Sequence, residues 1–144
     1  MKYGNVRLFR PAVLFAATTL CLNNPSIGHA QSLAMRAKVP FAFYVGAVRL
    51  PAGAYLMERV GTTGDVLRVS DDSGSSVVIL TNASFCGDAG VTGELVFNRY
   101  ADTFFLSEVR WSEFRIARTL LHSRVEREFA RNGQPRRTAV AAVR

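Results

Sequence analysis

The stretch LVFNRYADTFFLSEVRW, residues 95–111, has the highest density of strand-forming residues in the chain. Aromatic and β-branched runs lie on both sides of a polar break at Ala101 and Asp102. Two such runs with a short polar break between them are typical of a β-hairpin. We therefore expect this hairpin to be the structural centre of the chain.

Large aromatic and aliphatic side chains occur throughout the hairpin. With a two-residue turn, strand alternation predicts one face made of Tyr100, Phe105, Val109 and Trp111. The other face is then made of Phe97, Phe104 and Leu106. Apolar residues on both faces indicate core packing, or a face that binds a ligand or partner. The candidate binding surface is Tyr100, Phe105 and Trp111.

Further strands are predicted N-terminal to the hairpin, at residues 39–45, 54–60, 66–70 and 76–81. The last of these is continuously apolar at its centre, which predicts that both of its faces are covered. The segments 50–53 and 71–74 have the composition of tight turns. Short strands with frequent turns predict an all-β fold, a small antiparallel sandwich or barrel of about 6–8 strands.

A change of pattern after Trp111 predicts a short C-terminal helix. Ser123 and Glu126 have the spacing of a capping box, so a helix is expected over residues 123–131. A start nearer Glu113 stays open, because the apolar spacing there is also helix-like. Asn132 and Gly133 end the helix, and residues 132–144 are expected to be a disordered basic tail.

Residues 1–30 have the organisation of a secretory signal peptide. A basic beginning is followed by an apolar run at residues 11–22 and by Gly28-His29-Ala30, which predicts cleavage after Ala30. The apolar run of about a dozen residues is too short to span a bilayer. Lipoprotein processing at Cys21 is an alternative, although Leu is missing three residues upstream. The expected product is a single β-rich domain, residues 31–131, without a transmembrane segment, in the periplasm or outside the cell.

The net charge of +7 lies at the ends of the chain. Residues 1–30 contain three of the 18 basic residues, and residues 131–144 contain four. Residues 31–130 therefore carry 11 basic and 11 acidic residues and are neutral. A nucleic-acid-binding surface needs basic residues clustered on the fold, so this class of partner is excluded.

Cys86 and His122 are the only thiol and imidazole in the expected mature chain. One cysteine makes no intramolecular disulfide, and a structural zinc site needs four ligands. The two residues could resemble a nucleophile and its base, but a half-buried cysteine and a surface histidine are the favoured interpretations. Pairs such as Glu108 and Glu113 are too common to indicate catalysis. No catalytic, cofactor-binding or metal-binding residue is predicted.

Three motifs resemble those of a family of small exported bacterial proteins of unknown function. They are FAFYVG with LPAGAY at 41–46 and 50–55, LVFNRY with FFLSEV at 95–100 and 104–109, and EREFA at 126–130. The resemblance implies export and a β-hairpin with a closing helix, and it implies no activity. Asn98 replaces the family's His, and Ala101 replaces its Gly. Because Ala is poor at positive φ, the second change predicts a turn looser than two residues.

These observations predict a non-catalytic exported β-domain that binds a protein or a surface polymer at the cell envelope. One alternative is a small β-barrel carrier of an apolar ligand, with a cavity of at least about 300 Å³. Another is an enzyme of unrecognised type. The oligomeric state stays open.

Overall fold

The computed structural model describes residues 33–85, 92–112 and 116–143. These ranges contain ten strands and one helix, α1 (Arg124–Ala130). The strands are β1 (Ala34–Val39), β2 (Phe43–Val45), β3 (Val48–Leu50), β4 (Gly53–Val60), β5 (Val66–Asp71), β6 (Ser76–Phe85), β7 (Glu94–Tyr100), β8 (Thr103–Trp111), β9 (Ile116–Leu120) and β10 (Arg136–Val143). Two earlier predictions, the signal peptide at 1–30 and the environment of Cys86, lie outside the described residues.

Eight strands form an antiparallel barrel in the order β8-β7-β10-β1-β4-β5-β6-β9, and pairing of β9 with β8 closes the ring. The predicted all-β class is confirmed, and the barrel is the architecture observed. Fully buried side chains fill its interior, including Met57, Leu67 and Leu95. An eight-stranded barrel has an interior just wide enough for such side chains or for one small ligand.

The β2–β3 hairpin completes one end of the barrel. β9 pairs only with the later parts of β6 and β8, and β2 runs parallel to the earlier part of β8. The Phe43 ring is fully buried, with its centroid 5.1 Å from that of Tyr55 and 5.3 Å from that of Phe97. At the hairpin turn, a Cβ on Gly46 would come within 2.9 Å of the Ile79 side chain on β6. The hairpin therefore packs across the opening that β9 leaves.

The β7–β8 hairpin forms as predicted, but with a tighter turn. Tyr100 pairs with Thr103, so the turn consists of Ala101 and Asp102 alone. The prediction of a looser turn is wrong, because Ala101 adopts a positive φ of 50°. Arg99 holds it there: its Nε donates to the Ala101 carbonyl at 2.6 Å, and its Nη2 to Asp102 at 3.2 Å. Side-chain hydrogen bonds thus replace the glycine that such a turn prefers.

A β-bulge in β8 changes which residues face the interior. Val96 pairs with Glu108 while Phe97 pairs with Leu106, so Ser107 is an extra residue. One extra residue reverses the alternation that follows it. As a result Val109 and Trp111 belong to the same interior core as Phe97 and Leu106. The predicted grouping of Val109 and Trp111 with Tyr100 and Phe105 is wrong for this reason.

The C-terminal segment is a strand of the barrel. β10 lies between β7 and β1, with six registered pairs to β7 and two to β1. Its half-buried residues Thr138, Val140 and Ala142 alternate with exposed ones. The prediction of a disordered tail over 132–144 is therefore wrong for residues 136–143, and the domain extends past residue 131.

The predicted helix is confirmed. Its N-cap is Ser123, whose Oγ accepts a hydrogen bond from the Glu126 backbone N–H at 3.1 Å. The earlier start near Glu113 is wrong, because residues 116–120 form β9. The helix lies on the outer face of the barrel, where the Phe129 ring contacts the rings of Tyr100 and Phe105. Buried Glu126 accepts a hydrogen bond from Asn98 Nδ2 at 2.8 Å.

The outer face of β6 is open to solvent. Val78 is 58% exposed and Leu80 is 66% exposed. The prediction that both faces of this strand are covered is wrong, because only its inner residues, such as Val77 and Ile79, pack against the core.

Candidate ligand site at the Trp111 end of the barrel

The predicted aromatic binding surface does not form. Tyr100, Phe105 and Trp111 are 5%, 1% and 4% exposed. Tyr100 and Phe105 pack beneath Phe129 on the outer face, whereas Trp111 belongs to the interior core. Burial raises the pKa of the Tyr100 hydroxyl, and the nearby Glu126 carboxylate raises it further. Only Trp111 among the three predicted residues therefore lies on the inner face.

The two ends of the barrel differ in chemistry. The Ala101 end contains the β7–β8 turn, and its interior is closed by aromatic side chains of the β2–β3 hairpin. The opposite end, here called the Trp111 end, contains the β4–β5 connection and the last residue of β8. Three charged residues, Arg59, Asp65 and Arg118, come together there. Trp111 lies on the strand next to that of Arg118. This group is the candidate site.

Arg118 reaches the interior from β9. It pairs with Val109, a fully buried core residue, and directly paired residues project from the same face of a sheet. Arg118 is only 5% exposed. Its Nη1 donates to Asp65 Oδ1 at 2.9 Å and its Nη2 to the Thr63 carbonyl at 3.3 Å. The guanidinium is thus fixed by two groups of the β4–β5 connection.

Arg59 brings a second cation to the same place. It pairs with Leu67, which is fully buried in the core, so Arg59 also lies on the inner face. Its Nε donates to the Gly64 carbonyl at 3.3 Å. Burial lowers the pKa of Arg59 and the neighbouring Arg118 charge lowers it further, whereas Asp65 acts in the opposite direction. Two guanidiniums and one carboxylate leave an excess of one positive charge.

Two buried donors at this end have no acceptor among the described residues. Trp111 Nε1 and Arg118 Nε are both inaccessible, and neither has a hydrogen-bond partner in the part of the chain that the structure describes. An unsatisfied buried donor costs about 1–3 kcal/mol, and a charged one costs more. The two residues lie on neighbouring strands, where Trp111 pairs with Ile116, two residues from Arg118. The two N–H groups therefore belong to side chains at diagonally adjacent positions of two paired strands.

Sequence reasoning missed the charged part of this site. A signal for Arg59 exists, because it follows Tyr55 and Met57 at strand spacing and so falls on the core side of β4. Arg118 had no comparable signal, since the spacing around it also fitted a helix. Its role depends on pairing with Val109, a contact between separate strands.

Arg110 and His122 lie beside carboxylates elsewhere on the barrel. On the outer face, Arg110 donates to Glu108 at 2.9 Å and to Glu94 at 3.4 Å. His122 is half exposed and lies 4.0 Å from Glu126. Its suggested partner Cys86 lies outside the described residues.

The predicted turn at residues 71–74 is confirmed. Asp71 Oδ1 accepts hydrogen bonds from the Ser73 hydroxyl and from the backbone N–H groups of Ser73 and Ser75, at 2.6–3.0 Å. Among the described residues, no group of three or more His, Cys, Asp or Glu side chains is placed to hold a metal ion.

Comparison with protein-family models, with curated proteins and with solved structures gives no match to this chain. Within residues 33–85, 92–112 and 116–143, no helix is long and apolar enough to cross a membrane. Function is therefore inferred from the residues of the chain itself.

Proposed function

We propose that this chain is an exported, non-catalytic β-barrel that binds a small molecule at its Trp111 end. The observation that carries the proposal is a pair of buried donors, Trp111 Nε1 and Arg118 Nε, without an acceptor in residues 33–85, 92–112 and 116–143. An acceptor oxygen that entered between the side chains enclosing these two groups would satisfy both donors. Export is supported by the signal-peptide pattern, and the non-catalytic assignment by the lack of any motif for a nucleophile or a metal in the sequence.

A small molecule is favoured over a macromolecular partner because the aromatic residues expected to meet a partner are buried. Small-molecule sites also occur at the mouths of β-barrels, and an eight-stranded barrel is wide enough for one small ligand. The proposed molecule lies at the end of the barrel, because the fully buried side chains of Phe43 and Phe97 already occupy the interior toward the Ala101 end.

Binding of an envelope protein is a second candidate. It is favoured by the exposed apolar side chains Val78 and Leu80 on the outer face of β6. Such a partner would cover this face and leave the Trp111 end free.

Native mass spectrometry of the protein recovered from its native envelope tests both candidates. We expect a mass excess of a small molecule, which disappears on denaturation. The variant Leu80→Ser should keep this excess, because Leu80 lies on the outer face. A protein that carries no small molecule but retains a stoichiometric protein partner, released by Leu80→Ser, would contradict the first candidate and support the second.

A further inference from the structure

We propose that the ligand is a small organic carboxylate, with its carboxylate bound by Arg118 and Trp111 and its apolar body against the neighbouring core residues. This inference rests on the proposed function and specifies the chemical class of the ligand. It follows from the donors, the charge and the apolar surroundings of the Trp111 end.

The donors require an acceptor. Arg118 Nη1 and Nη2 each donate one hydrogen bond within the protein, whereas its Nε and the Trp111 indole N–H are buried donors without a partner among the described residues. Neither group can accept a hydrogen bond. A ligand that satisfies both must present acceptor oxygens, and a carboxylate presents two in one plane. A ligand ammonium, which has no acceptor, would add donors to donors.

The charge of the site indicates a monoanion. The Asp65 carboxylate neutralises only one of the two guanidiniums of Arg59 and Arg118. One added negative charge makes the site neutral, whereas a phosphate dianion would leave it negative. An uncompensated charge costs more free energy in a buried site, and Arg118 is almost fully buried.

The surroundings indicate an apolar body. Arg118 pairs directly with Val109 and Arg59 with Leu67, so the charged residues border the apolar core. Met35, which is 8% exposed, and the half-buried Leu33 belong to the core at the same end. The favoured ligand is therefore amphiphilic, with one carboxylate and an apolar body.

The test uses three probes with the same eight-carbon chain: octanoate, 1-octanol and octylammonium. Trp111 is the only tryptophan in the chain, so its fluorescence reports on this end of the barrel directly. We expect octanoate to change the emission and to bind at least tenfold more tightly than 1-octanol, with octylammonium weakest. A charged hydrogen bond accounts for a change of about this size or more.

Variants separate the head-group contact from general binding. Arg118→Met should lower octanoate affinity at least tenfold, to that of 1-octanol, and leave 1-octanol binding unchanged. Trp111→Phe keeps an aromatic ring without the N–H, and should weaken octanoate binding severalfold in calorimetry. If Arg118→Met does not fold, Trp111→Phe alone tests the contact between the carboxylate and the donors. The matched control is Arg68→Gln, on the outer face of β5, which should bind octanoate normally.

The possible outcomes distinguish the inference from the proposed function. If 1-octanol or octylammonium binds as tightly as octanoate, the barrel binds small molecules but the carboxylate assignment is wrong. If octanoate binding is insensitive to both Arg118→Met and Trp111→Phe, the assigned donors are wrong. If no probe binds, the inference and the proposed function both fail. Selective octanoate binding that depends on the two donors supports both.

Discussion

Removal of the C-terminal strand is predicted to abolish the stable fold. The perturbation is a chain that ends at Gly133 and so lacks β10. The sequence alone predicted that this tail was disordered, in which case its removal would have no effect. In the structure, β10 joins β7 to β1 and completes the barrel.

The size of the effect follows from the strand pairing. β10 forms six registered pairs with β7, and an antiparallel ladder makes about one hydrogen bond per pair. At about 0.5–1.5 kcal/mol each, their loss costs roughly 3–9 kcal/mol. Removal also uncovers the edge beside Leu95 and Phe97, both fully buried. Because whole domains are stable by only about 5–15 kcal/mol, the truncated chain should be largely unfolded at 25 °C.

Urea denaturation followed by circular dichroism measures this effect. The control is a chain that ends at Val143, which keeps all of β10 and should have the midpoint of the full protein. A truncated chain with an unchanged midpoint and unchanged far-ultraviolet spectrum would refute the placement of β10 in the barrel.

Three further predictions concern local interactions. Ala101→Gly should stabilise the protein by about 1 kcal/mol, because glycine tolerates the positive φ at this position. The control Ala52→Gly, in another exposed turn, should not stabilise it. Equal urea midpoints for the two variants would argue against backbone strain at Ala101. Asn98→Ala should lower the free energy of unfolding by about 1–3 kcal/mol, because buried Glu126 loses the Asn98 donor. Adding Glu126→Ala should recover part of this stability. Additive losses in the double-mutant cycle would contradict coupling between Asn98 and Glu126. The hydrogen bond from the Ser73 hydroxyl, supported by backbone N–H groups, lowers the pKa of Asp71. The ionised Asp71 therefore stabilises the fold fully above the pKa of an unfolded Asp, about 3.9, and this stabilisation is lost as pH falls through the lower pKa of the folded state. Asp71→Asn should therefore flatten the fall in stability as pH drops below the unfolded value of about 3.9, and an unchanged pH profile would contradict this role.

Local features of the fold could be predicted from the sequence because their signals are local. The alternation and turn in residues 95–111 predicted the β7–β8 hairpin, and the spacing of Ser123 and Glu126 predicted the helix start. Both depend on contacts between residues close in the chain. The class of fold followed from the number of such strands and turns.

The errors arose where distant contacts decide the conformation. The extra residue Ser107 forms a bulge against β7. No glycine or other turn residue in β8 indicates this bulge, so Trp111 was assigned to the wrong face of the sheet. The segment 136–143 has only a weak alternation of small residues. It becomes a strand because it pairs with the edges of β7 and β1, which are distant in the sequence. Arg118 joins the site through pairing across strands and a contact to Asp65, 53 residues away in sequence.

The most direct test of the ligand site is the indole N–H resonance of Trp111 in a ¹H–¹⁵N correlation spectrum. The chain contains one tryptophan, so one indole signal is expected. Saturation with octanoate should move this proton downfield, as its N–H gains an anionic acceptor, and 1-octanol should move it much less. An indole signal that stays in place while octanoate shifts backbone signals elsewhere would contradict binding at the Trp111 end.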